Sequence, residues 1–302
     1  MSTSYHVAVI GLGAMGMGAA RSCLRAGLTT YGIDLSEQAR SQLQQAGAAA
    51  VMADARPLAE TLDAVLLLVV NATQVRRILL GEEGLARHLK PGTAIMVSST
   101  IAAEEASALA AELAQLGLPM LDAPVSGGAI KADAGEMTVM AAGSDAAFDK
   151  LAPVLDAVAG KLYRVGSEPG QGSTVKIIHQ LLAGVHIAVA AEAMALASRA
   201  GVSLDLMYDV VTHAAGNSWM FENRMPRVLT GDYQARSAVD IFVKDLTLVA
   251  DTAKALRFPL PLASTALNMF LGASNAGHGQ EDDSAVIKTF SGITLPGQEE
   301  RP

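Results

Sequence analysis

Thiols are nearly absent from this chain. Its single cysteine, Cys23, cannot close an internal disulfide, and the scattered histidines leave no His/Cys/Asp cluster with the spacing of a metal site. A lone thiol on the apolar side of a helix is a packing residue, and this usage fits a reducing, cytoplasmic compartment. Charge is sparse as well. Only 17% of the 302 residues are charged against 51% hydrophobic, which excludes disorder and leaves material for a large core and for two domains. Positive charge is the scarcer sign. The net charge is −8 and no Lys/Arg cluster occurs, so no nucleic-acid partner is expected and an anionic substrate has to be met by local donors. The N-terminus enters an apolar run at once, without the basic and apolar regions of a secretion signal. The one long apolar stretch, 181–200, is alanine-rich and carries His186, Glu192 and Arg199, so a buried helix of a soluble protein is expected there rather than a membrane span. No G-x-S-x-G elbow appears, which removes the obvious hydrolase reading.

What the chain does have, near its start, is glycine in a fixed pattern. A strand-like run over residues 5–10 leads into Gly11-Leu12-Gly13-Ala14-Met15-Gly16 and then a helical stretch. In G-x-G-x-x-G the first glycine makes a tight turn, the second lets the backbone approach a pyrophosphate, and the third lets the helix pack on the strand. A second strand over 29–33 ends at Asp34, about 20 residues beyond the motif, where a carboxylate accepts ribose hydroxyls and repels a 2′-phosphate. No arginine directly follows in Leu35-Ser36-Glu37-Gln38, so NAD is expected over NADP.

Residues 64–70, 94–97 and 119–121 are unbroken apolar runs, as strands buried on both faces of a parallel sheet require, with helical crossovers such as 101–116 between them. Residues 137–142 and 162–165 read as the last strands, with a helix over 145–157. The expected architecture is a Rossmann-type α/β domain with a doubly wound parallel sheet over residues 1–166, followed by an all-helical domain over 167–302. The junction is Gly166-Ser167-Glu168-Pro169-Gly170-Gln171-Gly172. Beyond it, helices are expected over 175–200, 205–215, 225–229, 239–256, 262–276 and 284–290, then a short polar tail, 298–302.

Ligands of an open parallel sheet bind outside the carboxyl ends of its strands. That singles out Val70 and Asn71, Ser98-Ser99-Thr100, and Asp122-Ala123-Pro124-Val125-Ser126-Gly127-Gly128. Ser126 followed by two glycines offers consecutive backbone N–H groups suited to a carboxylate, or simply a tight turn. Lys176 sits among Val175, Ile177, Ile178 and Leu181, shares a helix face with Gln180, and has His179 beside it. On a buried stripe such an amine has a lowered pKa and serves as a general base toward an alcohol; at a domain edge it is a snorkelling lysine. Lys244-Asp245 places a charged pair inside an apolar helix, and Glu281-Asp282-Asp283-Ser284 precedes the final helix as candidate caps.

Taken together these segments resemble the β-hydroxyacid dehydrogenase family, whose members act on small acids such as 3-hydroxyisobutyrate, tartronate semialdehyde and L-threonate. Gly11 to Gly16 resembles its cofactor signature, Asp122 to Gly128 its substrate signature, Gly172 to Lys176 its catalytic segment, and Lys244-Asp245-Leu246 its C-terminal cofactor motif. Many members carry Asn three residues after the lysine, where this chain has His179. Lys176-Ile177-Ile178-His179-Gln180 and Gly216-Asn217-Ser218-Trp219-Met220-Phe221-Glu222-Asn223 look most like the branch acting on L-threonate. The resemblance implies NAD across the first domain, with the nicotinamide facing a cleft closed by the helical domain. It implies the substrate carboxylate on Ser126, Gly127 and Gly128, and Lys176 as general acid/base. Val70, Asn71, Thr100 and Lys244 are implied cofactor contacts beside Gly11, Leu12, Gly13, Ala14, Met15, Gly16 and Asp34. Gln180 and Asn217 are implied partners of extra substrate hydroxyls. Oxidation of L-threonate at C2 to 2-oxo-tetronate is the expected reaction. A 3-hydroxyisobutyrate or tartronate semialdehyde enzyme is the alternative, and a non-catalytic dinucleotide sensor is the alternative of another class. Imine reductases share the architecture but generally lack the lysine. The alanine-rich helices also suggest a homo-oligomer.

Overall fold

The apolar runs form the centre of a nine-stranded sheet in the computed structural model, which describes residues 4–296. β1 (His6–Ile10), β2 (Thr29–Ile33), β3 (Ala50–Met52), β4 (Ala64–Leu67), β5 (Ala94–Val97) and β6 (Met120–Asp122) run parallel in the order β3-β2-β1-β4-β5-β6. β4 and β5 are buried at every residue, which is why they show no two-residue alternation. Successive residues still face opposite ways. Val7, Val9, Leu66 and Met96 enter one core, while Ala8, Ile10, Val65, Leu67, Ile95 and Val97 enter the other. α1 (Ala14–Arg25), α2 (Glu37–Gln45), α3 (Ala72–Leu80) and α4 (Ala103–Gln115) are the crossovers. Cys23 is fully buried in the first core, and burial pushes its thiol up to about 12, so it packs and does not react.

Two departures from the expected sheet have local causes. β4 ends at Leu67 although the apolar run continues, because the backbone of Leu68 turns against the glycine loop: a Cβ on Gly11 would lie 2.8 Å from the Leu68 carbonyl oxygen. The parallel pattern also stops at β6. β8 (Met137–Ala142) runs antiparallel to β6 and to β7 (Val125–Ser126), which only the short α5 (Gly128–Ala134) separates from it. β9 (Ala159–Gly166) returns parallel to β8 through α6 (Asp145–Val158), a helix long enough for such a crossover.

The chain divides into compact units at Lys176/Ile177, and α7 (Gln171–Arg199) begins in the first and continues through the second. α7 has the length and composition of a membrane-crossing helix, yet half of its most apolar window is buried, with Ala183, Ile187, Ala191 and Met194 in the second unit's core. Around it stand α8 (Leu204–Thr212), α9 (Trp219–Thr230), α10 (Val239–Leu256) and α11 (Pro261–Ala273), with Phe242 stacked on Phe270 at 5.2 Å. α9 is longer than the periodicity suggests because Ser218 caps it, accepting from the Phe221 N–H at 3.1 Å. The last helical segment, Asp283–Thr289, is a 3-10 helix. Asp282 caps it and also pairs with Arg227 at 2.5 Å, while Asp283 takes both Arg224 Nε and Nη2, at 2.7 and 3.0 Å. The polar tail 298–302 lies outside the described residues.

Candidate active site

The three glycines of the first loop are required for different reasons. Gly11 takes φ +89°, and a Cβ on Gly16 would lie 1.7 Å from the Gly11 carbonyl oxygen, so the protein's own packing requires both. At Gly13 an added Cβ would meet nothing within 4 Å. Gly13 is the N-cap of α1 and supplies no side-chain cap, so the first N–H groups of that helix face outward behind a position the fold does not need to keep small. A helix start of this kind can receive a pyrophosphate on its N–H groups. Asp34, at the end of β2, accepts from the Leu12 N–H through Oδ2 and from the Ser36 N–H through Oδ1, each at 2.7 Å. Each carboxylate oxygen has a second lone pair for a ribose hydroxyl. These residues fit NAD. Sequence reading missed Arg40, which donates to the carbonyls of Asp34 and Leu35 at 2.7 and 3.0 Å and so fastens the turn after β2; backbone acceptors left no signal for it in the sequence.

At the carboxyl ends of β4 and β5 the roles are mixed. Asn71 caps α3 by accepting from the Gln74 N–H at 2.9 Å, and the Gln74 side chain in turn accepts from the N–H of the exposed Val70 at 2.8 Å. Ser98 and Ser99 are buried just before Thr100, with hydroxyl oxygens that have no hydrogen-bond partner among the described residues. After β6, Ser126 lies in β7, and Gly127 and Gly128 follow at φ +132° and +71°. The left-handed pair turns backbone amides where side-chain-bearing residues could not.

Asp122 does something the sequence did not reveal. It is fully buried, and its Oδ2 accepts from the Gly170 and Ser173 N–H groups at 2.8 Å while Oδ1 accepts from the Ser173 hydroxyl at 2.7 Å. Those amides open α7, so Asp122 is that helix's N-cap supplied from a strand 48 residues away. Burial pushes its carboxyl above the ordinary range, against the Ser173, Gly170 and Gly172 hydrogen bonds that pull it down. Gly172 is small because a Cβ there would lie 2.4 Å from the Asp122 carbonyl oxygen. Lys176 comes three residues after Ser173 and is 6% exposed.

In the second unit the structure brings together His179, Gln180, Lys244 and Asp245. Gln180 Nε2 donates to Asp245 Oδ2 at 2.5 Å, Gln180 Oε1 lies 3.0 Å from His179 Nδ1, and Lys244 Nζ pairs with Asp245 Oδ1 at 2.5 Å. Asn217 stands apart on the turn before α9, where its Nδ2 reaches Glu222 at 3.4 Å and its buried Oδ1 has no hydrogen-bond partner among the described residues.

A family model for the NAD binding domain of 6-phosphogluconate dehydrogenase matches residues 6–166, and one described as NAD-binding of NADP-dependent 3-hydroxyisobutyrate dehydrogenase matches residues 170–290. The chain belongs to the β-hydroxyacid dehydrogenase family. Among the relatives of this dehydrogenase is L-threonate dehydrogenase of Escherichia coli (strain K12), 71% identical over 98% of each chain. A solved 3-hydroxyisobutyrate dehydrogenase from Salmonella typhimurium is 69% identical, covers 95% of this chain and 100% of its own, and superposes with a TM-score of 0.92. The Mycobacterium tuberculosis 3-hydroxyisobutyrate dehydrogenase, solved with L-serine, is 29% identical with a TM-score of 0.80, covering 95% and 99% of the two chains. The Rossmann-type fold followed by a helical domain, the NAD cofactor and the class of hydroxyacid dehydrogenase are as the sequence led one to expect.

Proposed function

We propose that this dehydrogenase oxidises L-threonate at C2 to 2-oxo-tetronate, with Lys176 as general acid/base. The observation that carries the reading is a lysine held almost out of water on the second turn of α7, in a chain 71% identical over nearly its full length to an L-threonate dehydrogenase. NAD, when bound, supplies the hydride acceptor. Neutral Lys176 takes the proton of the C2 hydroxyl as C2 gives up its hydride, and returns that proton to the carbonyl oxygen in reverse. Ser126, Gly127 and Gly128 hold the substrate carboxylate on backbone N–H groups. Gly11 to Gly16, Asp34, Val70, Asn71, Thr100 and Lys244 hold the dinucleotide. The reading includes a cytoplasmic enzyme assembled from identical subunits.

A second reading, 3-hydroxyisobutyrate as substrate, is favoured by the Salmonella typhimurium structure at 69% identity. Rates of reduction of NAD and NADP with L-threonate, D-glycerate and 3-hydroxyisobutyrate separate the two. L-Threonate with NAD is expected to give the highest kcat/KM, and inactivity on L-threonate beside good activity on another acid overturns the proposal. Lys176→Ala is expected to lower kcat about 10²- to 10⁴-fold while NAD still binds, whereas a cofactor sensor would lose nothing.

A further inference from the structure

We infer that the turn after β2 is an anion site filled from within by Asp34, with Arg40 beside it as an unused receptor for a 2′-phosphate, so that one carboxylate alone keeps NADP out; this rests on the reading of Asp34 as the ribose-binding residue. The Asp34 carboxylate takes the Leu12 N–H on Oδ2 and the Ser36 N–H on Oδ1, each at 2.7 Å. Backbone N–H groups converging on one place make a concavity for an anion, and here the chain supplies the anion itself.

Arg40 stands in the first turn of α2, with its own N–H on the Ser36 carbonyl at 3.1 Å. Its guanidinium turns away from the Asp34 carboxylate and grips the main chain instead, Nη1 donating to the Asp34 and Leu35 carbonyls at 2.7 and 3.0 Å. Nη1 carries two hydrogens, so these bonds use it up and leave the edge formed by Nε and Nη2 without a hydrogen-bond partner among the described residues. That edge is the fork with which arginine takes a phosphate. Arg40 is half-buried and lines, with Glu37, a hollow of about 410 Å³, so the guanidinium is reachable from solvent. Neither Glu37 nor the Asp34 carboxylate forms an ion pair with it among the described residues.

The carbonyl bonds hold this cation in place before any ligand arrives, which lowers the cost of ordering it. A 2′-phosphate brought to the turn meets a carboxylate that can only accept hydrogen bonds and that carries charge of the same sign. Remove that carboxylate, and the Leu12 and Ser36 N–H groups and the Arg40 fork are all donors without an acceptor. The basic partner of a 2′-phosphate thus lies six residues beyond Asp34, on the helix, and not directly after it.

The test is binding of NAD and of NADP to the full-length protein by titration calorimetry, with no hydroxyacid present. Asp34→Ala is expected to weaken NAD about 10-fold and to tighten NADP about 10-fold. In that background Arg40→Met is expected to weaken NADP about 10- to 100-fold and to move NAD by less than about 3-fold. Equal losses for the two dinucleotides show that Arg40 only fastens the turn, and overturn the inference. An NADP gain that survives Arg40→Met overturns it as well. Arg40→Lys keeps the charge without the fork and is expected to keep part of the gain; a lysine no better than methionine overturns the role given to the charge. If Asp34→Ala leaves both affinities unchanged, the reading of Asp34 falls together with the inference, whereas a shift that ignores Arg40 sinks the inference alone. Every one of these outcomes leaves the choice of hydroxyacid untouched.

Discussion

Gly13 differs from its neighbours in what the fold asks of it. Nothing in the protein lies within 4 Å of a Cβ placed there, whereas one on Gly16 would sit 1.7 Å from a backbone oxygen. Gly13→Ala is therefore expected to leave the unfolding free energy within about 0.5 kcal/mol of wild type while weakening NAD binding at least about 10-fold, as read by titration calorimetry. A large loss of stability with binding intact would contradict the assignment of this glycine to the ligand. The turn built on Gly11 and Gly16 and tied to Asp34 was legible in the sequence, because it is local. Arg40 was not, because what it donates to is backbone carbonyls, which carry no residue signature.

The opening of α7 is where sequence reading and structure part most clearly at the scale of elements. Asp122 read as the first letter of a substrate loop, and its partners are amides and a hydroxyl 48 to 51 residues further on, a pairing no periodicity encodes. The link between Gln180 and Asp245 spans 65 residues and was hidden for the same reason. The sheet's central strands, by contrast, were legible because burial on both faces writes itself as unbroken apolar runs, whereas the short β3 and β7 were not. The sheet's far end was not, because the direction of β8 depends on the length of α5 and not on composition. Asp122→Ala leaves the Gly170 and Ser173 N–H groups and the Ser173 hydroxyl without their buried acceptor. It is expected to cost about 2–4 kcal/mol in denaturant unfolding and to lower kcat for the hydroxyacid more than it weakens NAD binding. An equal effect on both would mean that Asp122 serves the whole unit and not the lysine's turn.

At the scale of the molecule, each of the two units has a core of its own. The second carries a buried acid pair. Burial alone would raise the Asp282 carboxyl, but the Arg227 guanidinium and the Ser284 hydrogen bond outweigh it and hold the group below its ordinary value of 3.8. A lowered folded pKa adds stability that is complete above the ordinary value and disappears as pH falls through the lowered one. Asp283 runs the other way, because burial pushes its carboxyl up against the pull of Arg224. Asp282→Asn is expected to be destabilised by about 3–5 kcal/mol at pH 7 and to lose less of its remaining stability between pH 5 and 3 than wild type does, followed by the fluorescence of Trp219, the single tryptophan. An unaltered acid limb would show that other carboxylates set it. The carboxylate cap on α7 has a consequence for how this fold can be altered. Everything between Asp122 and Gly170 is an excursion closed at both ends by one side chain, so loops inside it can be lengthened, shortened or replaced by a foreign segment without moving the lysine's turn from the sheet crest.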